Sequence, residues 1–314
     1  MSYNLDEIVE KAKNGELSNI AKSGSAVCYD VNDDYVLVAH KIASSSKKFA
    51  ELSEKLADDT KCIYTVLGYK EENNLVYELQ KKATGEHFRV DSTKQDVYDR
   101  LASQKRQMEN MIEKSRQGDF FLTEEAITDS MEPLINKLEN KINSPEFQEL
   151  IDTRKDELQR RYEKILNMPK EHISDFFESV LILHDNKIEY DSSGNNVLYD
   201  PEKGFAIIDL TDCSKRENLK GDINTMLDSN NYQTMQVLLG VDRLNEVKDE
   251  DKKEVIESMK EALKKICASV IDMQHNGQKM TGEIMNKSLE TYKKYGIDLS
   301  YNEIQELDKE QVMS

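Results

Sequence analysis

Strand-type sequence occurs in only two places in this chain, and nearly everything else reads as helix. The first place is residues 25–79. Ser25–Val31 and Tyr35–Lys41 are β-branched and aromatic, with the turn residues Asn32-Asp33-Asp34 between them, which is a hairpin signature. A short helix is predicted over 44–57, with Phe49, Leu52 and Leu56 as its apolar stripe. Two further strands, Cys62–Gly68 and Leu75–Leu79, follow around a polar turn at Lys70–Asn74. The second place is 187–210, where strand character returns around two turns. This distribution points to the α+β class, with a small antiparallel sheet followed by a larger helical region.

The helical predictions rest on spacing and caps. Residues 4–20 carry Leu5, Ile8, Val9 and Ala12 on one face, with Gly15 as a breaker. Ser92 with Gln95 reads as a capping box, and Val97, Leu101, Met108 and Met111 share a face behind it. Thr123-Glu124-Glu125 starts a second helix with acids in its first turn. Ser144-Pro145 starts a third, which ends before Pro169, and His172–Leu183 is a fourth. After 231 the chain reads as helix throughout. Its longest stretch is 249–274, with Val255, Ile256, Met259, Leu263, Ile266 and Val270 on one side.

Composition narrows the partners. The chain has 314 residues, a net charge of -18 and 33% charged residues. An acidic surface repels phosphate backbones and anionic lipid, so neither nucleic acid nor a membrane is an expected partner. Cys28, Cys62, Cys213 and Cys267 are far apart, with no CxxC and no adjacent His. That excludes a zinc motif or a disulfide framework and suits a reducing, cytoplasmic setting. The first residues carry no apolar signal region and no apolar run approaches membrane-spanning length. Secretion without a cleaved signal is left open.

The chemistry-bearing stretch is 183–211. Asp191 sits in a polar loop after a helix. Asn196 follows five residues later, just before Val197-Leu198, and Asp209 ends the apolar run Phe205–Ile208. Phosphoryl transfer needs a carboxylate near the acceptor hydroxyl and oxygen ligands for magnesium, all on short rigid elements. A loop and a hairpin would bring these three side chains to one edge. Each also has a plainer role on the residues alone. Asp191 could cap the turn 191–195, Asn196 could close an Asx-turn, and Asp209 could simply terminate a strand.

This stretch resembles the catalytic loop and metal-binding aspartate of the protein-kinase-like superfamily: an aspartate, four residues, an asparagine, two aliphatics, then a hairpin ending in an aspartate. Leu183-His184 is similar to the end of the family's preceding helix. Upstream, Val38-Ala39-His40-Lys41 resembles the third-strand lysine motif, and Val76–Gln80 the fifth strand and hinge. The resemblance implies a two-lobed fold with ATP and Mg2+ bound between a β-rich amino-terminal lobe and a helical carboxy-terminal lobe. It implies that Lys41 holds the α- and β-phosphates and pairs with Glu51, or second with Glu54. Ser23, Gly24 and Ser25 would cover the phosphates. Tyr77 would line the back of the pocket, the backbones of Glu78 and Gln80 would face adenine, and Glu86 would lie near the ribose. Asp191 would be the catalytic carboxylate, with Asn196 and Asp209 as metal ligands.

The departures from the family pattern define the kind. One glycine stands in the phosphate loop, Glu189-Tyr190 replaces His-Arg, position 193 is Ser, and no Ala-Pro-Glu follows. The resemblance is therefore to atypical bacterial kinase-like proteins without a standard activation segment. The expected organisation is an N-terminal helix at 1–19, a nucleotide-binding lobe at 20–88, a helical insertion at 89–170 and a carboxy-terminal lobe at 171–314. The expected function is a Mg-ATP-dependent kinase acting on a hydroxyl, on a protein in the first instance. A small-molecule kinase of the aminoglycoside and choline type and a pseudokinase scaffold are the alternatives. The insertion is where a protein partner is expected to dock.

Overall fold

The computed structural model describes residues 4–22, 26–40, 56, 61–63, 66–89, 93–117, 124–190, 196–208, 210–212, 219–230 and 233–306. It forms two compact units. One comprises Met1–Arg89, Arg161–Val241 and Ile256–Ser314, and the other Val90–Arg160 and Asp242–Val255. The second unit thus takes in a short stretch from late in the chain beside the predicted insertion. Among the described residues no helix is long and apolar enough to cross a membrane.

The first unit opens with α1 (Leu5–Lys13), capped by Asn4, whose side chain accepts from the Glu7 amide at 3.4 Å. The helix expected over 4–20 stops here. Gly15 ends it, and Asn19–Lys22 pairs as strand β1, with the Asp30 amide donating to the Ser18 carbonyl at 2.8 Å. Strands β2 (Ala26–Asp30), β3 (Tyr35–His40), β4 (Val66–Glu72) and β5 (Leu75–Lys81) complete an antiparallel sheet in the order β1-β2-β3-β5-β4. The β4–β5 turn is shorter than predicted. Only Asn73 and Asn74 turn, with φ of 51° and 62°, and such a pair suits a two-residue hairpin. Lys70 and Glu72 stay in the strand and reach α1, where Lys70 meets Asp6 at 2.7 Å and Glu72 meets Lys13 at 2.6 Å. The predicted helix 44–57 lies outside the described residues apart from buried Leu56.

The second unit holds α2 (Thr93–Arg116), α3 (Glu124–Ile142) and α4 (Pro145–Asp152). Tyr98, Ile142 and Phe147 form its core, with Leu101 and Ala102 packed against them. The third predicted helix is in fact two. Thr153 turns the hydroxyl back onto the Glu149 carbonyl at 3.0 Å, and α5 (Arg154–Asn167) starts afresh.

The first unit resumes with α6 (Lys170–Asp185), α7 (Thr234–Leu239), α8 (Asp249–Val270, shared with the second unit) and α9 (Gly282–Glu290). Val255, Met259, Leu263, Ile266 and Val270 are fully buried and Ile256 is half-buried, so all but one residue of the predicted stripe of the long helix is core. The helix ends four residues early because Gln274–His275 and Gln278–Lys279 pair around Asn276-Gly277, a hairpin turn inside sequence that otherwise reads as helix. The observed architecture is therefore α+β, with the antiparallel sheet first and helices dominating afterwards.

Candidate functional site

Three short strand pairs build the site. Helix α6 buries Phe176, Phe177 and Leu183, and the chain leaves it through Lys187, at φ 59°. Strand β7 (Ile188–Tyr190) pairs antiparallel with β10 (Leu210–Asp212), placing Tyr190 opposite Leu210. Strands β8 (Val197–Asp200) and β9 (Gly204–Ile207) form a hairpin with Val197 opposite Ile207. The Asp200 carboxylate holds its turn by accepting from the Glu202 amide at 2.8 Å and the Lys203 amide at 3.2 Å. Those bonds, with a further one from Thr84, hold the Asp200 carboxyl below its ordinary range. One step past the hairpin pair, the Ile208 amide donates to the Asn196 carbonyl at 3.0 Å.

The consequence is topological. Tyr190 and Asn196 flank one undescribed stretch, and Ile208 and Leu210 flank the other. These four residues form two cross-strand partnerships, Tyr190 with Leu210 and Asn196 with Ile208. The chain entering and leaving 191–195 is thereby tied to the chain entering and leaving 209. Of the three residues singled out in this stretch, Asn196 is described and is half-buried, while Asp191 and Asp209 lie outside the described residues.

An aromatic cluster stiffens the hairpin. Phe176 and Phe205 stack at 4.6 Å between centroids, and Tyr199 lies 5.0 Å from Phe205. His172 Nδ1 lies 3.2 Å from the Tyr199 hydroxyl. Strand β6 (Glu86–His87) runs against β8, with Glu86 opposite Tyr199, and the Phe88 amide donates to the Val197 carbonyl at 2.9 Å. Gly85 makes that approach possible, since a Cβ there would stand 2.4 Å from the Tyr199 carbonyl oxygen. The Glu86 side chain points to solvent beside Lys164, at 3.6 Å. The chain just after β5 is thus fastened to the strand that follows Asn196.

The sheet gives the surroundings of three of the expected site residues. Tyr77 lies on the packed face of the sheet. It is opposite Ala39, and both belong to a buried cluster with Leu37 and with Val9 and Ala12 of α1. Lys13 of α1 lies over the Tyr77 ring at 6.0 Å. The backbones of Glu78 and Gln80 lie within the sheet, because β5 lies between β3 and β4 and both residues have ladder partners on each side. The chain first leaves the ladder after Lys81, at 82–85. Sequence reasoning looked at these two backbones and missed their side chains. Glu78 is 2% exposed and Gln80 6%, on the face opposite α1. Gln80 Nε2 donates to Glu78 Oε2 at 2.7 Å, and His40 Nε2 lies 3.5 Å from the same oxygen. The signal was present as a lone acid in the middle of the apolar run Leu75–Leu79.

Ser23, Gly24, Ser25, Lys41 and Glu51 also lie outside the described residues. Their described neighbours are ordered by the sheet: Lys22 is opposite Val27, and His40 is opposite both Ala26 and Val76. Among the described residues no group of three or more His, Cys, Asp or Glu could hold a metal. The amide oxygen of Asn196 is a hard donor of the kind magnesium prefers, and the backbone carbonyl of the same residue is held at the hairpin base by the Ile208 amide. Cys62 and Cys267 are buried thiols pushed up to about 12 by burial, which makes them inert packing groups.

No family model matches the sequence, and no curated protein matches it either. Among solved structures, a similar chain is that in the GDP and kanamycin complex of APH(2")-IIia, an aminoglycoside phosphotransferase. The two share 14% identity over 98% of each chain, with a TM-score of 0.32. At that score the fold rests on the strand order and register described above, and the likeness stands beside them as a similarity.

Proposed function

We propose that this chain is a Mg-ATP-dependent phosphotransferase acting on a hydroxyl, with a protein as the first acceptor to test. The observation that carries the proposal is the register that ties Tyr190 to Leu210 and Asn196 to Ile208. That register supports Asn196 and Asp209 as neighbouring magnesium ligands at the foot of one hairpin, with Asp191 on the adjoining loop. A bound magnesium would neutralise charge on the β- and γ-phosphate oxygens.

Asp191 orients the acceptor hydroxyl and takes its proton as the oxygen bonds to the γ-phosphorus and the bridging oxygen departs with ADP. Lys41, paired with Glu51, holds the α- and β-phosphates, and the backbone at Ser23-Gly24-Ser25 lies over them. The adenine edge is read by the chain that follows β5, just past the Lys82 amide, which still donates to the Asp34 carbonyl at 2.7 Å. Catalysis is then mostly positioning and electrostatics.

A second reading, a nucleotide-binding scaffold without turnover, is favoured by Glu189-Tyr190 and Ser193 in place of the family's basic residues. The experiment is the thermal midpoint with and without Mg-ATP for wild type and Asp209→Ala, followed by ATP turnover and mass analysis of the protein. The proposal expects a magnesium-dependent rise in wild type, absent in the variant, with turnover. A rise without turnover selects the scaffold. No rise at saturating Mg-ATP ends both readings.

A further inference from the structure

The ladder between β7 and β10 is only three residue pairs long: Tyr190 with Leu210, Glu189 with Thr211 and Ile188 with Asp212. A pair of strands that short is marginal by itself. Side chains take over where the strands end. Lys187 Nζ donates to the Leu219 carbonyl, and Asp185 Oδ1 accepts from the Gly221 amide at 2.9 Å. The order stays antiparallel, since 190 meets 210, 188 meets 212, 187 meets 219 and 185 meets 221. The chain at 213–218 lies outside the described residues.

Asp185 is the centre of this closure. It is the last residue of α6, where the helix dipole disfavours a carboxylate. Donors from two segments distant in sequence offset that. Besides the Gly221 amide on Oδ1, its Oδ2 accepts from His275 Nε2 at 2.6 Å and from Asn276 Nδ2. A carboxylate accepts, so Nε2 is the nitrogen that carries the His275 proton. Asn276 stands in the turn between the two short strands, with φ of 49°. The hairpin that replaces the end of the expected long helix thus carries two donors to Asp185. Gly221 is fitted to the same contact. A Cβ there would stand 2.3 Å from the Leu181 carbonyl oxygen and 2.6 Å from Asp185 Oδ1, so only glycine lets this stretch lie so close to α6.

We propose that Asp185 is a positioning residue of the candidate site. With Lys187 it continues the β7–β10 pairing past the strand ends, and so fixes the register in which Tyr190 meets Leu210 beside 191–195 and 209. It acts on the reaction through the strands, not by contact. The role rests on the phosphotransferase reading for the reaction it serves, while the clamp of Asp185 on Gly221, His275 and Asn276 is a property of the fold alone. A reaction carried mainly by positioning loses a large factor in rate from a small displacement of its groups.

The test compares the full chain with Asp185→Ala, Gly221→Ala, His275→Ala and His275→Gln. Hydrogen exchange is followed without nucleotide, and steady-state ADP formation is followed from Mg-ATP. In Asp185→Ala, peptides covering 188–190 and 210–212 should exchange at least about tenfold faster, while β3 and β5 keep their wild-type rates. kcat should fall about 10- to 100-fold with KM for Mg-ATP within about twofold of wild type. Gly221→Ala should give the same pattern and His275→Ala a weaker one. His275→Gln should recover most of that weaker loss, because its amide can still donate to Asp185. Unchanged exchange at 188–190 and 210–212 in Asp185→Ala overturns the clamp. Faster exchange there with unchanged kcat overturns the positioning role. If wild type forms no ADP, the phosphotransferase reading fails and the exchange comparison alone decides the clamp. If Asp185→Ala does not fold, His275→Ala against His275→Gln decides in its place.

Discussion

The hairpin region and the helical unit bury opposite chemistry. Around Asn196 the interior is aromatic, with Phe88, Phe176, Tyr199 and Phe205 in mutual contact. In the helical unit Arg243 is fully buried and Arg154 and Glu246 nearly so. Apolar packing fixes positions whatever the solvent, as a hairpin carrying oxygen ligands requires. A buried ion network fixes geometry too, but its stability depends on proton and ion occupancy.

The strongest way to break the contrast is Phe176→Ala. The ring is fully buried between Phe205 and Tyr190, so its loss costs about 3–5 kcal/mol and should show in denaturant melts equally at pH 6 and pH 8. A pH-dependent loss would mean that the hairpin core is not the apolar support described here.

Arg154→Ala is the matching lesion in the helical unit. Removing one partner of a buried pair costs about 3–5 kcal/mol when the other charge is stranded. Here Glu246 can take up a proton, since its carboxyl is already pushed up to about 7. The loss should therefore be large at pH 8 and visibly smaller at pH 6, measured by hydrogen exchange across 93–116. Equal losses at the two pH values would remove Glu246 from the network.

Wild type itself sharpens the point. Glu246 binds its proton more tightly folded than unfolded, where the ordinary value is 4.5. Its contribution is therefore complete below the unfolded value and is lost as pH rises through about 7. The helical unit should gain about 1 kcal/mol between pH 8 and pH 6, and Glu246→Gln should abolish that gain.

This contrast also marks what the sequence reveals. The sheet strands were legible because β-branched residues alternate across them, and the hairpin because Asp200–Gly204 carries turn residues between apolar runs. The face of Tyr77 was not legible. Alternation groups Tyr77 with Leu75 and Leu79, but only the packing of α1 decides which element covers that face. The break at Thr153 was hidden because one hydroxyl bond competes with helix continuation. The hairpin around Asn276-Gly277 was hidden because its arms are only two residues each. In the helical unit Arg154, Arg243 and Glu246 look like solvated helix charges, and their burial depends on partners distant in sequence, such as Asp99 for Arg243.

The smallest expected effect lies on the sheet's α1 face, where charge is arranged differently again. Lys70 sits 2.7 Å from Asp6 and 3.3 Å from Glu72, but Asp6 is 76% exposed. The hydrogen bond from Lys70 is the main cause that holds the Asp6 carboxyl below its ordinary range. Water and salt screen such a pair, and ordering a long lysine side chain offsets most of the gain. Lys70→Ala should move the thermal midpoint by no more than about 1 °C, and 1 M salt should erase even that. The apolar contacts of Val9 and Ala12 with Leu37, Ala39 and Tyr77 are then what hold α1 in place. A larger, salt-sensitive loss would show instead that α1 docks through its charges, and that the face bearing Tyr77 is held shut electrostatically.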